Sequence, residues 1–433
     1  MALKVKLQPD IDRYLVYFSF LEMLFLRWLL IGQDTIIALY CGLLVCRLLL
    51  VPRGYRRTLG MNAVLLSATI FFIVLNAVFR EGFESSVFLK NLNYMFYPAV
   101  VIFYFGYLTS CKPALLEDVF SRLRRPLNLY YAVNVAVIWL QRGETYFLMP
   151  VSRIENNYYP DHMAGLLGVE GTHRLALVTV FVVLLNLHHL QKNGGLSPRK
   201  KLLGWGYLVF VVATAFVVSA INDNNMVFVL LPLIVVLYLM AGFRNTKRHL
   251  YWAMLICAAA LVGVYLLFCT PLLSLFGNVR ISSILNSFFK AFRGEGTGDE
   301  RMRYLFLVFE DYHGLGLGTG FGSLRMRRDP EIVALGYIYR NWGMCDMAPF
   351  LAMGGLGFYI WSLYLYARLL TGKQELKKLR KYFAVIILIL TYYHQVLTHA
   401  TMAIPMCWIL AVFALNRLRL RSVNAGSLHK DRC

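Results

Sequence analysis

The sequence predicts an all-α polytopic integral membrane protein with about twelve transmembrane helices and a large extracytoplasmic loop. Composition is the first observation behind this. Of 433 residues, 59% are hydrophobic and 15% are charged, where soluble domains carry about 25% charged residues. The mean hydropathy is +0.58. Secondly, the apolar residues fall in long continuous runs. Thirdly, the charges between those runs are unevenly shared. A soluble enzyme, a disordered chain and a collagen are excluded, and 8 Cys in this length exclude a small disulfide scaffold.

A helix needs about 20 apolar residues to cross the hydrocarbon. The first run, roughly 14–31, follows Met-Ala-Leu-Lys-Val-Lys and lacks a small-residue cleavage site, so it reads as a span rather than a signal peptide. Runs at 35–51, 61–79, 91–110, 127–140, 174–190, 202–219, 226–242, 250–270, 347–367, 382–398 and 401–416 complete the set. The fifth and the last are short. All are Leu-rich without two-residue alternation, so helices fit and a barrel does not. No repeat, linker or soluble insert interrupts them, and 1–433 reads as a single membrane domain.

With the N-terminus inside, the inner segments hold 28 Lys and Arg and the outer segments 14, with Arg27 and Arg47 inside spans. Acidic residues go the other way, giving +22 inside and −2 outside. This is the positive-inside rule, and it accounts for the net charge of +21. Nucleic-acid binding is not needed to explain the basic balance. Both termini are then cytoplasmic. No cysteine pair reads as an outer disulfide, and no CxxC or HExxH spacing marks a metal site.

Two outer segments are long, 141–173 and 271–346, and long loops on a rigid scaffold often carry chemistry. The first bears Arg142, Arg153, Asp161, His162, Glu170, His173 and Arg174 among Tyr and Phe residues suited to an interface or a sugar platform. His173 and Arg174 stand where the next span begins. They read either as snorkelling groups or as a base and an anion contact facing a wet cavity. In the second segment, residues 276–297 resemble a helix lying on the membrane. A short helix is then predicted from Asp299 and Glu300 to Gly314, with Met302, Leu305, Phe306 and Phe309 as its apolar face. The glycine string 314–322 lacks the Lys-Ser or Lys-Thr of a phosphate loop and reads as a tight, close-packed turn. Nine Lys and Arg in this segment exceed what an outer loop should hold. Guanidinium groups bind phosphate oxygens bidentately, so a polyanion or a lipid headgroup at the outer leaflet is the simplest cause.

These residues resemble the Wzy-type O-antigen and capsular polysaccharide polymerases, of the O-antigen polymerase and ligase superfamily. The resemblance rests on the large penultimate outer loop and on Arg301 or Arg303 followed by Gly316, Gly318 and Gly320. It also rests on Asp346, Phe350, Gly354 and Gly357 in CDMAPFLAMGGLGF, on Arg153, Pro160-Asp161 and Gly171-Thr172-His173, and on the polar turn SAINDNNM. His313 stands where the family often has a proline, and Asn224 and Asn225 where it often has a basic residue.

The resemblance implies a GT-C-like fold and a metal-independent glycosyltransferase without cofactor in the bacterial cytoplasmic (inner) membrane. At the outer face it would move a glycan from undecaprenyl diphosphate onto the next lipid-linked repeat unit. The partners implied are that lipid-linked oligosaccharide, membrane lipid and a chain-length regulator protein. The diphosphate contacts implied are Arg153, Arg174, Arg301, Arg303 and Arg340. The base candidates are Asp346 and His173, with His313 behind them. Asp346 reads equally as the N-cap of the following span, and Glu22 with Arg27 reads as a structural pair. The rival functions are an O-antigen ligase and a lipid-linked oligosaccharide flippase. The flippase sits poorly with the missing half-repeat and the 76-residue segment 271–346. A metal-dependent GT-C enzyme needs an acidic pair in the first outer loop, where IGQD offers Asp34 alone.

Overall fold

The computed structural model describes residues 10–26, 33–50, 53–142, 148, 163–168, 171–192, 197–222, 226–242, 300–326, 345–372 and 374–430. The predicted span 250–270 and the site candidates Arg153 and Arg340 lie outside the described residues. Among the described residues the chain is helical, with no strand. Its helices are α1 (Ile11–Leu21), α2 (Gln33–Leu49), α3 (Arg53–Val78), α4 (Ser85–Cys111), α5 (Pro113–Gln141) and α6 (Thr172–Lys192). They continue as α7 (Pro198–Ile221), α8 (Met226–Gly242), α9 (Glu300–Glu310), α10 (Met347–Leu370), α11 (Arg380–Tyr393) and α12 (Ala400–Lys430).

Six of these are long and apolar enough to cross a membrane, within α3, α4, α6, α7, α10 and α12. Burial sorts them. The apolar window of α12 is 89% buried and that of α6 78%, against 22% for α3 and 28% for α7. So α12, α6, α10 and α4 form the centre, and α3 and α7 turn apolar faces outward, as lipid-facing helices do. In the centre Trp408 stacks on Phe20, with ring centroids 3.9 Å apart, and its indole N–H donates to Ser19 Oγ at 3.2 Å.

At one end of the bundle Asp12 is fully buried and fully satisfied. Arg47 grips it bidentately, Nε to Oδ1 and Nη2 to Oδ2, each at 2.8 Å, and Lys112 Nζ lies 2.7 Å from Oδ2. The Tyr104 hydroxyl donates to Oδ1 at 3.0 Å. Burial would raise the Asp12 pKa, but Arg47 and Lys112 outweigh it and hold the carboxyl below its ordinary range. This clasp joins the starts of α1 and α5 to the end of α2, at the end of the helices where the basic segments lie.

The structure departs from the predicted elements in several places, and α3 and α4 already begin at Arg53 and Ser85 rather than at 61 and 91. Helix α5 begins at Pro113, well before the predicted 127, because Pro at its first position suits a helix start. Helix α9 ends at Glu310 rather than Gly314 and buries Tyr304, Leu307 and Val308, while Phe309 is 39% exposed. The predicted span 382–398 stops at Tyr393, and residues 394–399 are not helical.

Candidate functional site

Parts of the two long segments predicted to be outer are held inside the bundle by buried side-chain amides. Leu166 N–H donates to Asn134 Oδ1 at 2.7 Å and Gly165 N–H to Gln141 Oε1 at 2.9 Å. Asn222 Nδ2 donates to the Met163 carbonyl at 3.1 Å. Residues 163–168 are thereby fixed against α5 and α7, and they deliver His173 and Arg174 at the start of α6.

The glycine string is fixed in the same way. Asn91 Nδ2 donates to the carbonyls of Phe321 and Leu324 at 2.8 and 2.7 Å, and its Oδ1 accepts from Met326 N–H at 2.9 Å. The string docks on a break in α10, where Gly355 takes φ 74° and ψ 176°. That break frees carbonyl groups. Thr319 N–H donates to Ala352 O at 2.8 Å, Gly320 N–H to Met353 O at 3.0 Å, and Asn76 Nδ2 to Met353 O at 3.0 Å. A Cβ at Gly355 would collide with the Gly316 carbonyl, and one at Gly318 would sit 2.5 Å from the Ala352 carbonyl. The glycines serve close backbone approach, as a packed turn requires.

Asp346 stands at the start of α10, yet its carboxylate does not cap that helix. It reaches across to the unwound stretch after α11. Leu397 N–H donates to Oδ2 and the Thr398 hydroxyl to Oδ1, each at 2.5 Å. The Asp346 N–H donates to the carbonyls of Thr391 and His394, at 2.9 and 3.1 Å. These bonds replace the helical ladder and hold 394–399 open. The His394 ring is buried and meets the His173 ring edge-on, with centroids 4.1 Å apart. Arg174 is buried at the next position, within electrostatic reach of Tyr130. No match is found when the chain is compared with family models, with curated proteins or with solved structures.

Of the predicted site residues, His173, Arg174 and Asp346 converge on this end of the bundle. His313 is exposed on the glycine turn at φ 51°, with no contact to the cluster among those seen in the described residues. Arg301 and Arg303 lie in the first turn of α9, which packs on α10. Among the described residues no group of three His, Cys, Asp or Glu could hold a metal. His394 was hidden from sequence reasoning inside the run 382–398. The signal was there in His394, Gln395, Thr398 and His399, four polar residues in six positions of an apolar run. Chemically, an imidazole pair can accept a proton from a hydroxyl, and the buried Arg174 guanidinium can meet an anion.

Proposed function

We propose that this chain is a polysaccharide polymerase of the bacterial cytoplasmic membrane, a metal-independent glycosyltransferase acting at the outer face. In this reading the bond between the anomeric carbon and the undecaprenyl diphosphate of the growing chain breaks, and the diphosphate leaves with the electron pair. A hydroxyl of the next lipid-linked repeat attacks that carbon and gives up its proton. His173, beside His394, takes the proton. Asp346 positions the 394–399 stretch, and Arg174 with arginines of the large loop neutralises the diphosphate.

The observation that carries this reading is the convergence of the two long segments. Both candidate loops end on one polar cluster, with His173 from one and Asp346 from the other gathered around residues 394–399. The O-antigen ligase is the rival reading. Ligases tend to have a His near the position where this chain has Asp346, which tilts the resemblance towards a polymerase.

Deleting the gene in its host and resolving the surface and lipid-linked glycan on a gel tests both. A polymerase deletion collapses the ladder to single repeats, and wild type restores it while His173→Ala does not, at equal membrane levels. A full-length ladder that stays on its lipid carrier makes the protein a ligase. An unchanged surface ladder, or repeats that never reach the outer face, removes both readings.

A further inference from the structure

The opposite end of the bundle carries a second charged site, independent of the proposed transfer reaction. A cleft of about 80 Å³ opens between α5, α6 and α12. Its polar lining is Glu117, Ser121 and Arg124 from α5 with His188, His189 and Lys192 from α6, and its apolar wall includes Phe120 and Leu415. The cleft lies at the level of the segments 111–126 and 191–201, among the basic connections of the chain.

The charges there do not balance. Glu117 is the one carboxylate in the lining, and it is already engaged: Lys192 Nζ lies 2.7 Å and His188 Nε2 3.7 Å from its Oε1. His188 and then Lys192 overcome the effect of burial and hold the Glu117 carboxyl at about 2. Arg124 has no carboxylate within salt-bridge distance among the described residues, and its Nη1 donates to the neutral Asn186 Oδ1 at 3.3 Å. Burial and the neighbouring Arg125 push its pKa down. A half-buried guanidinium without a counter-ion is costly, and an oxyanion seated against it removes that cost.

We propose that this cleft binds the phosphate group of an anionic ligand, with Arg124 and Lys192 as its main contacts and Phe120 and Leu415 beside the apolar part. Basic clefts between membrane helices at this depth suit lipid headgroups. The same chemistry would serve a soluble phosphate ester.

The test uses the full chain, purified in neutral detergent and stripped of lipid. One arm adds inorganic phosphate and reads thermal stability. The other adds phosphatidylglycerol or phosphatidylcholine and reads retention by native mass spectrometry. The expected result is retention of phosphatidylglycerol over phosphatidylcholine, weakened about tenfold by Arg124→Gln, the worth of one charge-assisted hydrogen bond. Arg199→Gln, an exposed cation at the start of α7, should leave it unchanged. Stabilisation by phosphate without lipid preference assigns the site to a soluble ester. Lys192→Gln, at a 43% exposed side chain, repeats the comparison if Arg124→Gln fails to fold. The proposal is overturned if neither phosphate nor phosphatidylglycerol has an effect, or if Arg199→Gln weakens retention as much as the cleft variants.

Discussion

Replacing Gly355 by Ala should cost far more than the same change two residues on. At φ 74° and ψ 176°, Gly355 occupies a backbone region that is nearly closed to other residues, and forcing a side chain there costs about 1–3 kcal/mol. The new Cβ would also run into the Gly316 carbonyl, which is backbone and cannot swing aside. Pushing the glycine turn away breaks the bonds from Thr319 and Gly320 to α10, at about 1 kcal/mol each. The sum is about 3–5 kcal/mol, a large part of the 5–15 kcal/mol typical of a folded protein. Gly357 has open space around it, so Gly357→Ala should be neutral or stabilise by up to about 1 kcal/mol. Thermal unfolding of both variants in detergent reads the difference. Equal midpoints would refute the argument that the turn and the break fit each other as described.

Three further outcomes follow from the same contacts. Asn91→Leu strands the Phe321 and Leu324 carbonyls and the Met326 N–H, at about 1–3 kcal/mol for each group left unpaired; limited proteolysis should then cut near 317–326, and an unchanged digest counts against this anchor. Arg47→Met leaves the buried Asp12 without its bidentate partner and should cost about 3–5 kcal/mol in unfolding free energy; a loss under 1 kcal/mol would mean that Lys112 suffices. Glu117 has its pKa depressed from 4.5 to about 2, so its contribution is full above 4.5 and is lost as pH falls towards 2. The stability gap between wild type and Glu117→Gln should therefore shrink as pH falls below 4.5, and a gap that widens contradicts the assignment.

Much of the scaffold was legible because lipid imposes one rule, that a spanning backbone must satisfy itself as helix. Apolar length located the helices from α2 to α8 and α10 to within a few residues, apart from the starts of α3, α4 and α5. The glycine string was legible as a packed turn for want of any phosphate-loop partner residues. What escaped was the interruption of helices by tertiary hydrogen bonds. The break at Gly355 does not show in hydropathy, because partners distant in sequence create it; at 394–399 the polar residues mark an opening but not the Asp346 that holds it. Asp346 illustrates this: its position suggested an N-cap, but its oxygens face Leu397 and Thr398, some fifty residues on. The intramembrane amides Asn76, Asn91 and Asn134 were the overlooked signal. A buried amide in an apolar run needs partners: here Asn91 and Asn134 each pin a loop, and Asn76 holds the Met353 carbonyl at the break in α10.

The opening of α10 also sets an order for biogenesis. Lipid offers nothing to the Ala352 and Met353 carbonyls, and an unsatisfied backbone group there costs several kcal/mol. We therefore expect α10 to leave the insertion machinery as an unbroken rod. It would bend once the turn made just before it settles on it and supplies the amides of Thr319 and Gly320. Paired Thr319→Cys and Ala352→Cys substitutions time that event. Their crosslink should form in finished chains, and its presence in chains arrested with α10 still inside the machinery contradicts the order.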